Sequence, residues 1–284
     1  MSELIDGKML AKSIRESLAN EVKKENIKAK LAVILCGDNE ASRVYVNIKS
    51  KACKEVGIAF EEFHLEKDVT EGELESLIVK LNNDKSINGI LLQYPVPKQI
   101  DLNKVAALID KDKDVDGFNP YNIGMLNMGK PNFIPCTPYG IMKMFEKYNI
   151  DLNGKKAVII GRSNVVGKPM AECLLNKNAT VTICHSKTKD LKHELKQADI
   201  IIAACGKENI VTDDMVKNNA VVIDVGTNRN KNGKLCGDVD FDNVKEKASF
   251  ITPNPGGVGP MTVAMLMENC IRAYKIQHRK SWKW

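Results

Sequence analysis

The sequence predicts an α/β protein of two domains, each a mainly parallel sheet flanked by helices, with a cleft between them. Three observations lead there. Short runs of aliphatic and β-branched residues alternate with segments whose apolar residues recur at helical spacing. That alternation runs twice, once in the first half of the chain and again from Lys155. At 284 residues the chain is long enough for two domains of roughly 120 to 150 residues, each with its own core. Near-continuous apolar strands separated by helices are buried on both faces, as in a parallel sheet covered by helices.

In chain order, residues 6 to 25 place Leu10, Ile14, Leu18 and Val22 on one helical face, and "LAVILCG" at 31 to 37 reads as a buried strand. "ASRVYVNIKSKACKEV" is the next helix and "IAFEEFHL" the next strand. "TEGELESLIVKLN" is a helix whose Thr70 and Glu73 have capping-box spacing. "INGILLQYP" is a buried strand ending at Pro95, and after "DLNKVAALI" the stretch "DKDKDVDGFNPYNIG" reads as loop. A helix follows at "TPYGIMKMFEKY", with Thr137 as cap and Pro138 in the first helical position. The second series runs through the strands "KKAVIIG", "ATVTICHS", "ADIIIAACG", "AVVIDVG" and "FITPNP" to a last helix from about Pro260. On that helix Met261, Val263, Leu266 and Ile271 are core positions. The expected division is 1–136 with 261–284 for the first domain and 137–260 for the second.

Composition excludes several classes. With 43% hydrophobic and 27% charged residues the chain is neither disordered nor fibrous. The net charge of +6 comes from scattered lysines. The cluster of Arg272, Lys275, Arg279, Lys280 and Lys283 complements a helix C-terminus rather than forming a nucleic-acid patch. Eight cysteines with no C-x-x-C pair argue against a zinc or thioredoxin-like site and for reduced, mostly buried thiols of an intracellular protein. No metal is expected. The polar start "MSELIDGKMLAKSIRES" and the lack of a long apolar run give no support to secretion or membrane spanning, so a cytoplasmic location is expected.

"VIIGRSNVVGKPM" places Gly161 at a strand end and Gly167 at a helix start, where a diphosphate could rest on free backbone N–H groups. The middle glycine of G-x-G-x-x-G is Ser163 and the last is displaced, so the fingerprint is a variant, and a plain strand-to-helix turn would tolerate the same glycines. With the strand alternation it makes the second domain Rossmann-like. The following strand ends in "CHSKT", where NAD-preferring folds carry an acid for the ribose hydroxyl. His185, Ser186 and Lys187, with Arg162, favour NADP over NAD.

Two stretches stay open on residues alone. "DKDVDG" at 112 to 117 opens like a calcium loop, but its twelfth position is Ile123 rather than glutamate, so calcium is rejected. What remains is a solvated turn, or a loop in which Asp116, beside Gly117, points at a ligand. "YVNIKSK" at 45 to 51 puts Tyr45 and Lys49 four apart on one helical face. That is either a half-buried aromatic beside a snorkelling surface lysine, or a stacking plate beside a working amine.

Six stretches decide between these. "YVNIKSK", "GILLQYPVP", "KDVDGF", "GRSNVVGKP", "TVTICHSKT" and "TPNPGGVGPMT" occur in an order and spacing that resembles the bifunctional methylenetetrahydrofolate dehydrogenase/methenyltetrahydrofolate cyclohydrolase (FolD) family over nearly the whole chain. The resemblance implies a folate-binding catalytic first domain and an NADP-binding second one. It implies that Tyr45 stacks on folate, that Lys49 is the catalytic lysine, that Gln93 positions it, and that Asp116 binds the pterin ring. Gly161, Arg162, Ser163, Gly167, Ser186 and Thr227 fall to the cofactor, and Gly256 and Gly259 to a glycine loop beside the substrate. A homodimer in one-carbon metabolism, feeding purine biosynthesis, is also implied. Two residues depart from the pattern: Tyr94 makes "QYP" of the common "QLP", and Asn254 replaces an apolar residue in "PxPGG". A further formyltetrahydrofolate synthetase extension, which some relatives carry, is not expected from these 284 residues.

The implied first step moves a hydride from the one-carbon bridge of 5,10-methylenetetrahydrofolate to nicotinamide and needs orientation more than an acid or base. The second adds water to the methenyl carbon and requires proton transfers, for which a desolvated Lys49 with a lowered pKa is suited. Gln93 can hold that amine without pinning it as an ammonium. Two rivals remain at this point. A shikimate-dehydrogenase-like NADP enzyme gives Tyr45 and "PGGVGP" no role, and a non-catalytic dinucleotide sensor has no use for Lys49, Gln93 and Asp116.

Overall fold

A computed structural model describes residues 2–229 and 233–278. The chain opens with β1 (Glu3–Leu4) and α1 (Gly7–Glu25), followed by β2 (Lys30–Cys36), α2 (Glu40–Val56), β3 (Ala59–Leu65), α3 (Glu71–Asn83), β4 (Gly89–Leu92), α4 (Leu102–Leu108) and α5 (Pro120–Asn127). Then come α6 (Cys136–Lys147), β5 (Lys156–Ile160), α7 (Gly167–Leu175), β6 (Thr180–Cys184), α8 (Leu191–Lys196), β7 (Ile200–Ala203), β8 (Val221–Asp224), β9 (Asn228–Arg229), β10 (Leu235–Cys236), α9 (Phe241–Val244), β11 (Phe250–Ile251) and α10 (Val258–Gln277).

These elements form two compact units, residues 12–136 with 263–284 and residues 1–11 with 137–262. In the first, β2 lies between β3 and β4, both parallel to it. Six of the seven β2 residues are buried because the strand is covered on both faces. The side of the sheet that includes Ala32, Ile34, Ile90 and Leu92 packs on Leu74, Ile78 and Leu81 of α3. The capping box at Thr70 and Glu73 is formed. Asn39 caps α2 by accepting from the Ser42 N–H, and Gly57 closes that helix in the left-handed region.

The second unit carries a six-stranded sheet ordered β1-β11-β8-β7-β5-β6, parallel throughout. From β5 the chain runs outward to β6 and then returns past β5 to β7. That reversal makes the carboxyl end of β5 the switch point of a doubly wound sheet, where such folds bind nucleotides.

The structure corrects the sequence reading in four places. Residues 1–11 cluster with the six-stranded sheet rather than with 12–136, because β1 pairs with β11 and the Lys8 N–H donates to the Gly256 carbonyl at 2.9 Å. The stretch read as loop from Asp110 contains α5, since Asn119 accepts the Tyr121 N–H at 2.8 Å and Pro120 occupies the first turn. Helix α6 starts at Cys136, so Thr137 is inside it, its hydroxyl 2.9 Å from that of Thr262. Of the five cations assigned to a helix end, Arg272 and Lys275 are buried. Arg272 donates to the Asn132 carbonyl and Lys275 pairs with Glu21 and Glu25, while Arg279, Lys280 and Lys283 lie outside the described residues. Met261, Val263, Leu266 and Ile271 are all buried.

Candidate functional site

Helix α2 sets the candidate site of the first unit. Val46, Cys53 and Val56 anchor it to the core, and the 3.6-residue period brings Tyr45, Lys49 and Cys53 successively along one stripe. Tyr45 is 42% exposed, too open for a core aromatic. Lys49 turns inward: its Nζ donates to Gln93 Oε1 at 2.8 Å. Gln93 follows β4, is buried, and donates through Nε2 to the Tyr94 carbonyl at 2.7 Å. With its nitrogen fixed there, its oxygen faces the amine.

Burial lowers the Lys49 pKa, opposed chiefly by the nearby Asp116 carboxylate. Asp116 is itself raised by burial, with Lys49 and a hydrogen bond from Cys136 favouring its charged form. Amine and carboxylate therefore sit in one desolvated space, each shifted toward neutrality by burial and pulled back by the other. Burial pushes Cys53 up to about 12 and Cys136 and Cys270 well above the usual thiol range. All three are neutral, polarisable walls at physiological pH. Sequence reasoning counted these thiols as buried but did not place them here; the signal available was the i+4 spacing of Cys53 from Lys49.

The acidic run is not a solvated turn. Asp114 is buried, and its carboxylate accepts from the N–H groups of Gly117, Phe118 and Asn119 at 2.8 to 3.1 Å and from Asn122 Nδ2 at 2.8 Å. Lys113 is buried as well, its Nζ donating to the carbonyls of Leu81 and Asn82 in the last turn of α3 and of Asp84 just beyond it. Together they clamp the loop that presents Asp116. Burial raises Asp114 to about 6, so it is charged and fully bonded at neutral pH. Asp114→Asn puts an amide N–H against existing donors. A loss of about 2 kcal/mol is expected, visible in thermal melting as a Tm lower by roughly 4 to 8 °C. An unchanged Tm would show that the clamp is dispensable.

Tyr94 packs on Phe118 with ring centroids 5.7 Å apart and planes tilted by 50°. Burial and the negative charge of Asp116 and Asp114 raise its phenol pKa. The phenol stays protonated beside the carboxylates, a feature the commoner leucine would not supply.

A second candidate site lies on the six-stranded unit. Gly161 has φ of +118°, and a Cβ there would stand 2.2 Å from the Ala204 carbonyl oxygen; one on Gly167 would stand 2.2 Å from the Gly161 oxygen. The strand-to-helix passage therefore admits only glycine at both positions. Ser163 has a use the sequence did not reveal. Its Oγ accepts from the N–H groups of Val166 and Gly167, and its carbonyl accepts the Lys168 N–H. The helix-start N–H groups expected to be free are thus turned onto the serine that replaces the middle glycine. Arg162, Ser163, Ser186, Lys187 and Thr227 are exposed. His185 and Thr188 close the turn after β6, the His185 N–H donating to Thr188 Oγ1 at 2.9 Å. The bare glycine passage, the exposed cations and the absence of an acid at the end of β6 fit a phosphorylated dinucleotide.

Gly256 has φ of +111°, and Gly259 lies in the first turn of α10. Asn254 Nδ2 donates to the Gly226 carbonyl, which ties this loop to the segment carrying Thr227. Among the described residues, no group of three or more His, Cys, Asp or Glu could hold a metal ion, and no helix is long and apolar enough to cross a membrane.

A doubly wound sheet with a glycine passage at its switch point, joined in one chain to an α/β unit bearing a desolvated lysine, defines the class of two-domain, nicotinamide-dependent enzymes. Sequence profiles narrow it: that of the tetrahydrofolate dehydrogenase/cyclohydrolase catalytic domain matches residues 5–116, and that of the NAD(P)-binding domain of the same family matches residues 135–278. The bifunctional protein FolD of Agathobacter rectalis is 55% identical over 278 residues, covering 97% of this chain and 100% of the relative. The crystal structure of the bifunctional FolD enzyme of Campylobacter jejuni matches with a TM-score of 0.95 at 51% identity, over 97% of this chain and 99% of that one. The Trypanosoma brucei FolD structure, complexed with NADP and an inhibitor, matches with a TM-score of 0.93 at 35% identity, over 98% and 99%. The chain belongs to the tetrahydrofolate dehydrogenase/cyclohydrolase family, and it is an enzyme with both domains of that family.

Proposed function

We propose that this chain oxidises 5,10-methylenetetrahydrofolate to 5,10-methenyltetrahydrofolate with NADP and then hydrolyses the product to 10-formyltetrahydrofolate, Lys49 being the proton-transfer residue. The observation that supports this reading most is the Lys49 amine, desolvated, held on Gln93 at 2.8 Å and faced by Asp116. Tyr45 stacks on the folate with its exposed ring. Asp116 receives the pterin N–H groups, and Gly256 and Gly259 allow close approach of the substrate because they add no side chain. When bound, NADP supplies the acceptor for the hydride leaving the one-carbon bridge. Gly161, Ser163 and Gly167 shape the passage for its diphosphate, and Arg162, Ser186 and Thr227 contact its phosphates and ribose. In the second step Lys49 takes a proton from the attacking water and returns it to the departing ring nitrogen. Gln93, neutral and fixed, keeps the amine aimed without converting it permanently to ammonium. The enzyme works as a cytoplasmic homodimer supplying one-carbon units to purine biosynthesis.

A spectrophotometric time course with 5,10-methylenetetrahydrofolate and NADP tests this. NADPH should rise while the methenyl species appears and decays faster than it hydrolyses unaided. Accumulating methenyl product would leave a dehydrogenase alone, and no folate-dependent NADPH would refute the reading. The cofactor preference has its own test: Arg162→Ala should raise the KM for NADP by about tenfold, the worth of one charge-assisted contact. The KM for NAD should change little, and equal effects on both would count against a 2′-phosphate contact.

A further inference from the structure

The loop carrying Asp116 is held by residues that the chemistry above does not use. Asn269, on α10, is fully buried. Its Nδ2 donates to the Val115 carbonyl at 2.8 Å, to the Ile134 carbonyl at 3.1 Å and toward the Cys136 sulfur at 3.7 Å, while its Oδ1 is buried with no hydrogen-bond partner. A buried amide that leaves its own acceptor unmatched is costly, and here the acceptors it serves gather around one carboxylate. Val115 precedes Asp116. Gly117 follows it, packed so tightly that an added Cβ would come within 2.9 Å of the Pro135 nitrogen, between Ile134 and Cys136.

Cys136 is the second link. Its thiol is placed to donate to the Val115 carbonyl at 3.4 Å and also to the Asp116 carboxylate, but it has one proton to give. The Val115 carbonyl takes the shorter bond from Asn269, and of the two acceptors beside the thiol the carboxylate is charged and so the stronger. The same amide nitrogen lies 3.7 Å from the sulfur, so it holds the Val115 carbonyl and the thiol in one packed contact. We propose that Asn269, acting through Cys136 and the Val115 carbonyl, is a positioning residue that fixes Asp116 as an oriented carboxylate for the folate substrate.

This rests on the folate reading of the site. The groups facing Asp116 are Lys49 from α2, Tyr94 beyond β4, Asp114 from its own loop, Cys136 at the start of α6 and Cys270 from α10. Lys49 favours the carboxylate and Asp114 opposes it. Tyr94 and the thiols remain protonated. Cys136 is the neutral donor whose removal the carboxylate should register, because protonation makes Asp116 a weaker acceptor for the pterin and sets an O–H against its donors.

The test is the pH dependence of binding of 5-formyltetrahydrofolate, a reduced folate that this reaction does not turn over, followed by titration calorimetry. Wild type, Cys136→Ala, Cys136→Ser and Asn269→Leu are compared, each checked for folding by circular dichroism. On acidification affinity falls as Asp116 takes a proton. Cys136→Ala should move that midpoint upward by about one pH unit, the worth of one hydrogen bond to a charge. Cys136→Ser should restore it, and Asn269→Leu should move it in the same upward direction. Midpoints coincident with wild type in both Cys136→Ala and Asn269→Leu would overturn the positioning role while leaving the folate site standing. Absence of binding by wild type would instead bring down the folate reading and this inference with it. Should Asn269→Leu fail to fold, the Cys136 pair decides alone.

Discussion

Lys49→Met is expected to abolish methenyl hydrolysis while leaving measurable oxidation of the methylene substrate. Proton transfer by a placed side chain contributes about 10²- to 10⁴-fold, and the cyclohydrolase rate should fall by that order. Oxidation needs the one-carbon bridge and the nicotinamide in register. A methionine at this position would keep most of the lysine's apolar length, so a loss of roughly tenfold or less is expected there, in line with lost packing and charge rather than lost chemistry. A second signature follows from the coupling of Lys49 to Asp116. The amine favours the Asp116 carboxylate, so the variant should bind folate more weakly at mildly acidic pH than at pH 8. Separate assays of NADPH formation and of methenyl decay would show the split. Equal loss of both activities would mean that Lys49 serves binding alone, and the division of labour would be wrong.

How far these features could be read from the chain depends on the distance over which each is determined. Strand and helix alternation is a local pattern, and it gave two α/β units. The glycine passage was equally local: Gly161 and Gly167 are six apart, and their need for a bare backbone follows from one strand-to-helix turn. The face shared by Tyr45 and Lys49 came from the helical period. Three things lay beyond local patterns. The inward turn of Lys49 depends on Gln93, which is 44 residues away. Asn269 reaches Val115 across 154 residues, and no periodicity of α10 distinguishes it from an ordinary buried amide. Pairing of β1 with β11 moves the first residues into the other unit, and strands of two residues leave almost no pattern to read. The acidic run misled for a different reason. Four carboxylates in seven residues look solvated by composition, but Asp114 finds four donors and Lys113 finds three carbonyls, so their burial is satisfied. Ser163 was read as making the phosphate fingerprint a variant and as a cofactor position, but that its hydroxyl accepts the Val166 and Gly167 N–H groups could not be seen from the motif.

Gly161→Ala is expected to be the most damaging single substitution in the nucleotide-binding unit, and a matched control can show why. At φ of +118° an L-residue is strained, and the new Cβ would also lie 2.2 Å from the Ala204 carbonyl oxygen, a backbone atom that cannot swing aside as a side chain would. Gly154 isolates the first effect. Its φ is +70° and nothing lies within 4 Å of its would-be Cβ, so Gly154→Ala carries only the left-handed penalty of about 1 to 2 kcal/mol. Gly161→Ala adds overpacking against the end of β7, and the two together should cost about 4 kcal/mol. Thermal melting should then place Gly154→Ala roughly 2 to 6 °C below wild type and Gly161→Ala roughly 8 to 15 °C below it. Because the displaced backbone is the floor of the proposed diphosphate site, NADP affinity should fall in Gly161→Ala at temperatures where the protein is still folded, and stay unchanged in Gly154→Ala. Equal melting shifts in the two variants would show that backbone dihedral strain alone governs both positions. Unaltered NADP affinity in folded Gly161→Ala would move the diphosphate away from this turn.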